Sequence, residues 1–394
     1  NTYIPDDNFE KALIDLGYDS GVLNDLVPTS NISSLTYLNI SFRNITDLTG
    51  IKDFTALETL YCSNNLLTTA DFSSNQELSR LSVDNNRLTE ILLNSNPKLR
   101  VLECSYNQLT GLNLASCNGL VELRCIGNHL ITLDVSANTE LQWLTCQENK
   151  LTELNLQNGN NSNSYLDARD NPDLFCIQVD NVDSSYTYMD WHKNPYTGYS
   201  LDCSNYKIEM TYIPDNNFEQ ALIDLNLDFK SSPDDSIPTI SVKYLKGLNL
   251  DFKNIEDLTG LENFLWLEYF SCIGNELSSL NLTANEKLKI LTCQENKLTE
   301  ILFGNNSELV EIACSNNQIA NLNVHGLTNL ERLFCYNNNL VDLNLENNRR
   351  LTFLEAYNNQ LTSLNLKNGN NDNMTIDVRN ENLFCIGVIY FNAK

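Results

Sequence analysis

Histidine is scarce in this sequence, which has three histidines among 394 residues. They are His129, His192 and His325, and they stand in separate parts of the chain. A metal centre or a catalytic triad needs such side chains to converge, which this scatter does not indicate. Glycine-rich phosphate-binding loops are absent from the sequence as well. We therefore expect no enzyme activity, no cofactor and no metal site.

Basic residues are the minority among the charged residues. The sequence has 25 lysines and arginines against 51 acidic residues, which gives a net charge of −26. A field of this sign repels the phosphates of nucleic acids and anionic lipid surfaces, so we expect neither as a partner. The excess charge is interpreted as one that keeps a long, exposed surface soluble.

Long apolar runs are missing too. No stretch approaches the roughly 20 apolar residues that a membrane-spanning helix needs, so the sequence predicts no membrane span. An initiating methionine is also missing, because the chain begins at Asn1. Either the removal of a signal peptide or a trimmed chain accounts for that start.

The sequence is instead dominated by one repeated phrase, L-x-x-L-x-C-x-x-N-x-L-x-x-L-x-L. A fixed period predicts a solenoid, in which each coil buries its apolar face only against its neighbours. At 394 residues the chain is also long for one compact core, so two domains are expected. In two sets, the first leucine recurs every 21 residues, at Leu57, Leu78, Leu99, Leu120 and Leu141, and again at Leu267, Leu288, Leu309, Leu330 and Leu351.

Each repeat predicts a short strand around L-x-C, with the leucine and the cysteine directed inward and their neighbours outward. The following asparagine is expected to bond the backbone of adjacent coils, because its amide both donates and accepts. The second half of the repeat again alternates apolar and polar residues, as in residues 133–135. This alternation predicts a shorter extended segment on the opposite wall. In the first set, these asparagines form a column at Asn65, Asn86, Asn107, Asn128 and Asn149.

Eight of the twelve cysteines occupy one position of the repeat, where Val83, Ala168 and Ala356 stand in other coils. This exchange indicates a small buried side chain, and strands about 4.8 Å apart hold thiols in a poor geometry for bridging. We therefore expect buried, reduced thiols. Cys176 and Cys203 lie outside the column and bracket an aromatic-rich segment, which predicts a disulfide that closes a C-terminal cap. The column cysteines are Cys62, Cys104, Cys125, Cys146, Cys272, Cys293, Cys314 and Cys335.

Residues 2–18 predict an amphipathic helix that covers the open end of the first coil, with acidic residues at its start and Gly17 at its end. The same pattern restarts at residue 211, an offset of 211 − 2 = 209. We therefore predict two tandem modules, residues 1–205 and 206–394, each with a helical N-terminal cap. The apolar faces of the two helices comprise Phe9, Ala12, Leu13 and Leu16, and Phe218, Ala221, Leu222 and Leu225.

The second module ends differently from the first. Its residues 383–386 copy residues 174–177, but nothing matches Cys203, so Cys385 has no expected partner. Either the natural chain continues beyond Lys394 or this end is looser than the first. An asparagine-rich loop precedes each C-terminal segment, at residues 158–164 and 368–374. The second loop offers only Asp372 as a carboxylate, so we predict no calcium site there.

The repeated phrase resembles a bacterial leucine-rich repeat and is most similar to the IRREKO type, in which both halves of the unit carry the leucine pattern. The opening I-P-D-x-N-F-E-x-A-L-I-D-L and the C-I-Q-V-D at residues 176–180 resemble modules of secreted or surface proteins of Gram-negative bacteria. The resemblance covers nearly the whole chain twice. It implies an α/β solenoid of parallel β coils, an extracellular or cell-surface location, and ligand binding or adhesion without shared catalytic residues. Val83, Cys117 and Leu327 depart from the pattern without changing the predicted fold.

The strand pattern also predicts which side chains face outward, and exposed aromatic residues among them mark candidate ligand sites. Four rings and two charges on two neighbouring strands of the second module are expected to share one patch, since such strands lie about 4.8 Å apart. Three more aromatic residues face outward in other coils. The candidate ligand-binding residues are Arg332, Phe334, Tyr336, Phe353, Glu355, Tyr357, Tyr269, Trp143 and Tyr61.

Two functions fit this surface. One is a scaffold that binds or adheres to a protein partner through the repeat sheet, which mixed charges and scattered apolar residues favour. The other is a carbohydrate-binding module, accompanying a polysaccharide-degrading system, which aromatic residues with polar neighbours favour. Arg124 beside Glu103 and Arg332 beside Glu311 are expected as ordinary cross-strand ion pairs.

Overall fold

A computed structural model of the protein describes residues 1–93, 96–370, 374–383 and 385–387, so Asp372 lies outside the described residues. The chain forms two compact units, Asn1–Lys207 and Ile208–Lys394. Each unit is a parallel β solenoid, which confirms the predicted fold class. Successive coils add one short strand to a main sheet, and many coils add another to the opposite wall.

The main sheet of the first unit has eight parallel strands. They pair in register, so that Leu60 lies between Leu38 and Leu81 of the neighbouring coils. About seven coils are predicted from the sequence, and the eighth strand comes from the aromatic-rich segment at the end of the unit. The strands are Tyr37–Asn39, Thr59–Tyr61, Arg80–Ser82, Val101–Glu103, Glu122–Arg124, Trp143–Thr145, Tyr165–Asp167 and Trp191–His192.

The opposite wall of the first unit carries the predicted second extended segments, in one two-stranded and one four-stranded parallel sheet. An antiparallel pair of strands, which flank the capping helix along the chain, opens the unit. The wall strands are Thr69–Asp71 and Glu90–Leu92, then Thr132–Asp134, Glu153–Asn155, Cys176–Gln178 and Gly198–Ser200, and the antiparallel pair is Thr2–Tyr3 and Leu26–Val27. The helices are Asp7–Asp15, Thr29–Ile32 and Val182–Ser185, with 3₁₀ turns at Ile51–Asp53 and Asn161–Asn163.

The second unit repeats this plan with seven parallel strands in its main sheet. These are Gly247–Asn249, Tyr269–Ser271, Ile290–Thr292, Glu311–Ala313, Arg332–Phe334, Phe353–Glu355 and Thr375–Asp377. The wall strands are Ser279–Asn281 and Glu300–Leu302, then Asp342–Asn344, Ser363–Asn365 and Cys385–Gly387. The antiparallel pair is Met210–Tyr212 with Ser236–Pro238, and the helices are Asn216–Asp224 and Thr239–Lys243, with a 3₁₀ turn at Leu261–Asn263.

The core of each unit is the stack of inward leucines and cysteines. Leu60 and Cys62 illustrate it, because both side chains are fully buried. Burying one leucine side chain stabilises a fold by roughly 1.5–3 kcal/mol, so the stack supplies most of the favourable free energy. The eight column cysteines are buried and unbridged, as the sequence predicts. Burial raises the pKa of these thiols, to about 12 at Cys314, so they stay neutral and unreactive in the folded chain.

A ladder of buried asparagines joins each coil to the next, as predicted. Asn107 donates through Nδ2 to the carbonyl oxygens of Val83, 3.0 Å away in the preceding coil, and of Cys104, 3.1 Å away in its own. Its Oδ1 accepts from the backbone N–H of Leu88 at 3.0 Å. The residue before each ladder asparagine turns the chain out of the strand with a positive φ, as at Asn85 (55°). The amide thus pairs buried backbone groups that no strand reaches.

Both predicted capping helices form. In the first unit the Asp6 carboxylate begins the helix by accepting the backbone N–H groups of Asn8 and Phe9, at 3.0 and 2.9 Å. Burial acts to raise the pKa of Asp6, but hydrogen bonds from Thr46 and Phe9 hold it below its usual value. Stability from this cap is therefore present above the unfolded pKa of about 3.9 and is lost as the pH falls through the lower folded value.

The last position of each predicted apolar face is wrong. Leu16 is 41% exposed and Leu225 is 49% exposed. Each helix ends one residue earlier, and in the first unit the chain then turns away at Gly17, whose φ is 81°. Each helix instead buries a glutamate, Glu10 or Glu219, which an apolar pattern does not predict.

One disulfide is present in the described part of the chain, and it closes the end of the first unit. It joins Cys176 to Cys203, 27 residues apart, with Cα atoms separated by 5.8 Å. Trp191 and Tyr199 pack there edge to face, with ring centroids 5.7 Å apart. Cys385, at the corresponding place in the second unit, is exposed and free. None of the helices in the described residues is long and apolar enough to cross a membrane.

Replacing Asn107 by alanine is expected to destabilise the first unit by about 3 kcal/mol or more, because several buried backbone groups then lose their partner at about 1–3 kcal/mol each. Chemical denaturation followed by circular dichroism measures this change. The neighbouring Gln108 is exposed, so Gln108→Ala is the matched control and should change stability little. Equal stabilities for the two variants would contradict the ladder's role.

Removing the disulfide with the double substitution Cys176→Ser and Cys203→Ser is expected to cost the first unit about 3–4 kcal/mol. The chain-entropy model gives this value for a closed loop of 27 residues. Urea unfolding of the variant and of the natural sequence measures the difference. Reducing agent should reproduce the loss in the natural sequence and have no further effect on the variant, and an effect on both would contradict the assignment.

Candidate functional site

The main sheet of the second unit carries the cluster that we call the aromatic patch: Arg332, Phe334, Tyr336, Phe353, Glu355, Tyr357 and Arg379. The register of the sheet brings these residues together, because Arg332 pairs with Phe353 and Phe334 pairs with Glu355 on adjacent parallel strands. The central residues of these strands, Leu333 and Leu354, are fully buried. Their neighbours are therefore directed outward, side by side along the axis of the coil.

The rings of the aromatic patch lie against one another. Tyr336 and Tyr357 stack with centroids 4.6 Å apart and an interplanar angle of 5°. Phe334 and Phe353 are 5.2 Å apart and tilted by 41°. All four side chains are half-buried. Neighbouring coils thus cover much of each ring face and leave ring edges and tyrosine hydroxyls at the surface.

Two guanidinium groups border the aromatic patch. Arg332 lies over both phenylalanine rings, 5.2 Å from the centroid of Phe334 and 5.8 Å from that of Phe353. Arg379 lies over Tyr357, at 5.3 Å. Such contacts hold the cations against the rings. Each guanidinium group also pairs with one carboxylate, through part of its five N–H donors.

Charges within the patch are set by these neighbours. Hydrogen bonds from Arg379 hold the pKa of Asp377 below its usual range, with its Nε donating at 2.8 Å. Burial, together with the Tyr336 phenol, raises the pKa of Tyr357. At neutral pH the Tyr357 hydroxyl is therefore neutral and the Asp377 carboxylate is ionised.

Three predicted ligand residues lie elsewhere. Tyr269 is on the second strand of the same sheet, half exposed, and three strands away from Arg332–Phe334. Trp143 and Tyr61 belong to the first unit, at different strands of its main sheet. Tyr61 packs against Tyr37 with centroids 5.9 Å apart. The structure thus gathers six of the nine predicted residues into one patch and leaves the other three apart.

A groove of about 790 Å³ opens beside Trp143 in the first unit. Trp143 stacks on Tyr165 there, with centroids 4.1 Å apart and an interplanar angle of 13°. The polar lining of the groove includes Arg124, Glu122 and Asp190. Ring stacking along the coil axis therefore occurs in both units.

Tyr165 and Arg379, which lie against rings of predicted residues, are not predicted in the sequence analysis. The register of the coils could have identified both. Tyr165 pairs with Trp143 on the next strand, one coil later. Arg379 follows Tyr357 in the same way, because Asn358 donates its backbone N–H to the Arg379 carbonyl. Both follow their partners by 22 residues rather than 21, which places them off the strict period.

One of the two predicted ion pairs is wrong. Arg124 donates through Nε to Glu122 on its own strand, at 2.5 Å, because the two side chains leave the same face two residues apart. Glu103 lies near Arg80 instead, with 3.8 Å between Nη1 and Oε1. The pair of Arg332 with Glu311 is confirmed, at 3.4 Å.

In-register coils, inward leucines and an asparagine ladder give each unit the fold of a leucine-rich repeat solenoid. A family profile described as "Leucine Rich repeats (2 copies)" matches residues 33–75. No curated protein matches the chain.

Among solved structures, the chain is similar to the functional domain of InlJ from Listeria monocytogenes, which includes a cysteine ladder, with 23% identity over 92% of this chain and 75% of that one, at a TM-score of 0.37. It is also similar to the internalin InlF of the same species, with 19% identity over 99% of this chain and 92% of that one, at a TM-score of 0.35.

A double-mutant cycle on Tyr336 and Tyr357, each replaced by leucine, is expected to show a coupling free energy of about 0.5–1.5 kcal/mol, the usual value for a stacked aromatic pair. Unfolding of the second unit measures it. The cycle of Tyr269 with Tyr357 is the control and should be additive, because these residues are four strands apart. An additive result for both cycles would contradict the stacking.

Proposed function

We propose that the protein is a non-enzymatic extracellular recognition scaffold that binds a protein partner through the main sheet of its second unit. The observation that carries this proposal is the aromatic patch, in which rings stacked along the coil axis are bordered by Arg332 and Arg379. Aromatic and arginine side chains are the residues that most often dominate the binding free energy of protein interfaces.

The stacking favours a protein over a glycan. A sugar packs on the open face of an aromatic ring, but Tyr336 and Tyr357 cover one face of each other, and Arg379 lies over Tyr357. Trp143 in the first unit is stacked on Tyr165 in the same way. What remains accessible is a row of ring edges, hydroxyls and guanidinium N–H groups, which suits the backbone carbonyls and carboxylates of an extended segment.

We further propose that the two units are tandem modules of one type, built from 21-residue repeats of the IRREKO kind. Support comes from the equivalent antiparallel strand pairs, capping helices and main sheets of the two units. An extracellular or cell-surface location is supported by the disulfide, which forms and persists in oxidising surroundings.

Selection of displayed peptides on the whole chain tests the proposed site. Binders that recognise the patch should lose on the order of tenfold or more of their affinity when Arg332→Ala and Tyr336→Leu are combined, because hot-spot truncations typically cost 2 kcal/mol or more. Isothermal titration calorimetry measures the affinities. Leucine keeps much of the buried area of the tyrosine, so the variant should remain folded.

Tyr269→Leu is the matched control, because Tyr269 is outward on the same sheet but outside the patch. Binders that bind both variants as they bind the natural sequence would overturn the site. A glycan array run in parallel should show no binding. A glycan whose binding the patch variant abolishes would instead establish carbohydrate recognition.

A further inference from the structure

Three carboxylates converge in the N-terminal cap of the second unit, in and after the helix Asn216–Asp224. They are Glu219, Asp228 and Asp234, and one oxygen of each lies within 4.8 Å of the other two. Glu219 and Asp228 are buried, at 0% and 7% exposed, whereas Asp234 is exposed. Two buried anions this close repel each other strongly, so the cluster needs a compensating charge.

Glu219 is held rigidly in this cluster. Its Oε1 accepts the backbone N–H of Asp234 at 2.9 Å, and its Oε2 accepts that of Asp235 at 2.8 Å. These bonds fix the loop against the helix. Oε1 also accepts the backbone N–H of Ser236, at 3.3 Å, so Oε2 is the oxygen that keeps a second lone pair for a cation.

Asp228 is the carboxylate of the cluster that has an unpaired oxygen. Its Oδ1 accepts the backbone N–H of Lys230 at 3.3 Å. Its Oδ2 is buried and has no hydrogen-bond partner among the described residues. Burial raises the pKa of this carboxyl group. An orphaned buried carboxylate oxygen is costly, and in a cluster of oxygen ligands it is the feature that a bound metal ion removes.

Lys230 places one positive charge beside the cluster, and this charge compensates only part of the negative charge of the three carboxylates. Its ammonium pairs with the exposed Asp234, while its own side chain is 42% exposed. The pair therefore neutralises the outer carboxylate and leaves Glu219 and Asp228 as the buried anions.

We propose that Glu219, Asp228 and Asp234 form a calcium-binding site that fastens the loop after the capping helix. Calcium takes six to eight oxygen ligands at about 2.3–2.6 Å, so two ligands on opposite sides are about 4.6–5.2 Å apart. No two of the three oxygens exceed this span. Magnesium, with bonds of about 2.0–2.1 Å and strict octahedral geometry, fits such an open set less well.

The first unit offers an internal comparison. Asp19 occupies the place of Asp228 (19 + 209 = 228), and its Oδ2 is likewise buried without a partner among the described residues. Glu10 accepts the backbone N–H groups of Asn24 and Asp25, as Glu219 accepts those of Asp234 and Asp235. Asn24 thus stands where the second unit has Asp234. The carboxylates that gather around Glu10 are instead those of Asp7 and Asp25, and the unpaired Asp19 is not among them. Because that group lacks an unpaired buried oxygen, we expect one calcium ion per chain, bound in the second unit.

Calorimetric titration of the calcium-free chain with Ca²⁺, in about 0.15 M NaCl to screen weak surface binding, tests the site. One saturable calcium ion per chain is expected, together with a higher unfolding temperature. Asp228→Asn should lower calcium affinity on the order of tenfold or more, because it removes one ligand charge. Lys230→Ala should raise the affinity, because it removes the competing ammonium.

The stability of Asp228→Asn separates a metal ligand from a structural residue. Without calcium this variant should be at least as stable as the natural sequence, since it removes a buried, unpaired charge. With saturating calcium it should be the less stable of the two. If Asp228→Asn is less stable in both conditions, or equally responsive to calcium, the residue is not a ligand.

Asp224→Asn is the matched control, because Asp224 is an exposed carboxylate on the same helix and bonds to Gln220. It should leave calcium binding unchanged. The proposal is overturned if the natural sequence shows no saturable calcium binding, or if Asp224→Asn and Asp228→Asn weaken binding equally.

Discussion

The side-chain amide of the ladder asparagine is the interaction on which each solenoid depends. A coil this narrow must turn its backbone inside the protein, where carbonyl and N–H groups cannot reach water or a strand partner. Asn107 serves the carbonyls of Val83 and Cys104 and the N–H of Leu88, and so ties consecutive turns together with one side chain. Each turn needs such an amide, and this requirement explains why the asparagine returns with the leucines.

Register follows from that ladder, and the character of the surface follows from the register. Parallel coils held in step place equivalent side chains one above the other, as Tyr336 lies above Tyr357. Outward aromatic side chains that stack in this way each cover one ring face of their neighbour, which the solvent then does not reach. A solenoid of this type therefore displays aromatic residues in a way that differs from the open platform of a single exposed ring.

The periodic part of the structure is predictable from the sequence, because each position of the repeat calls for the same residue type in every coil. The features that the sequence does not predict lie where the period stops. The strand at Trp191 follows a long irregular segment, and Leu16 falls one residue beyond a helix whose end is set by local backbone conformation. Arg379 joins the aromatic patch through a coil of 22 residues rather than 21. The contact of Glu219 with Asp228 arises from how a loop folds back, which spacing does not encode.

The column of buried thiols ties the lifetime of the protein to its rate of opening. Each thiol is neutral and shielded while its coil is closed, but an unfolded chain in oxidising surroundings exposes many thiols beside the Cys176–Cys203 bridge. Thiolates that then attack this bridge, or oxidise with one another, form links that the folded coil cannot accommodate. Opening thus becomes a one-way event, and durability in that setting is governed by the height of the unfolding barrier rather than by the equilibrium free energy.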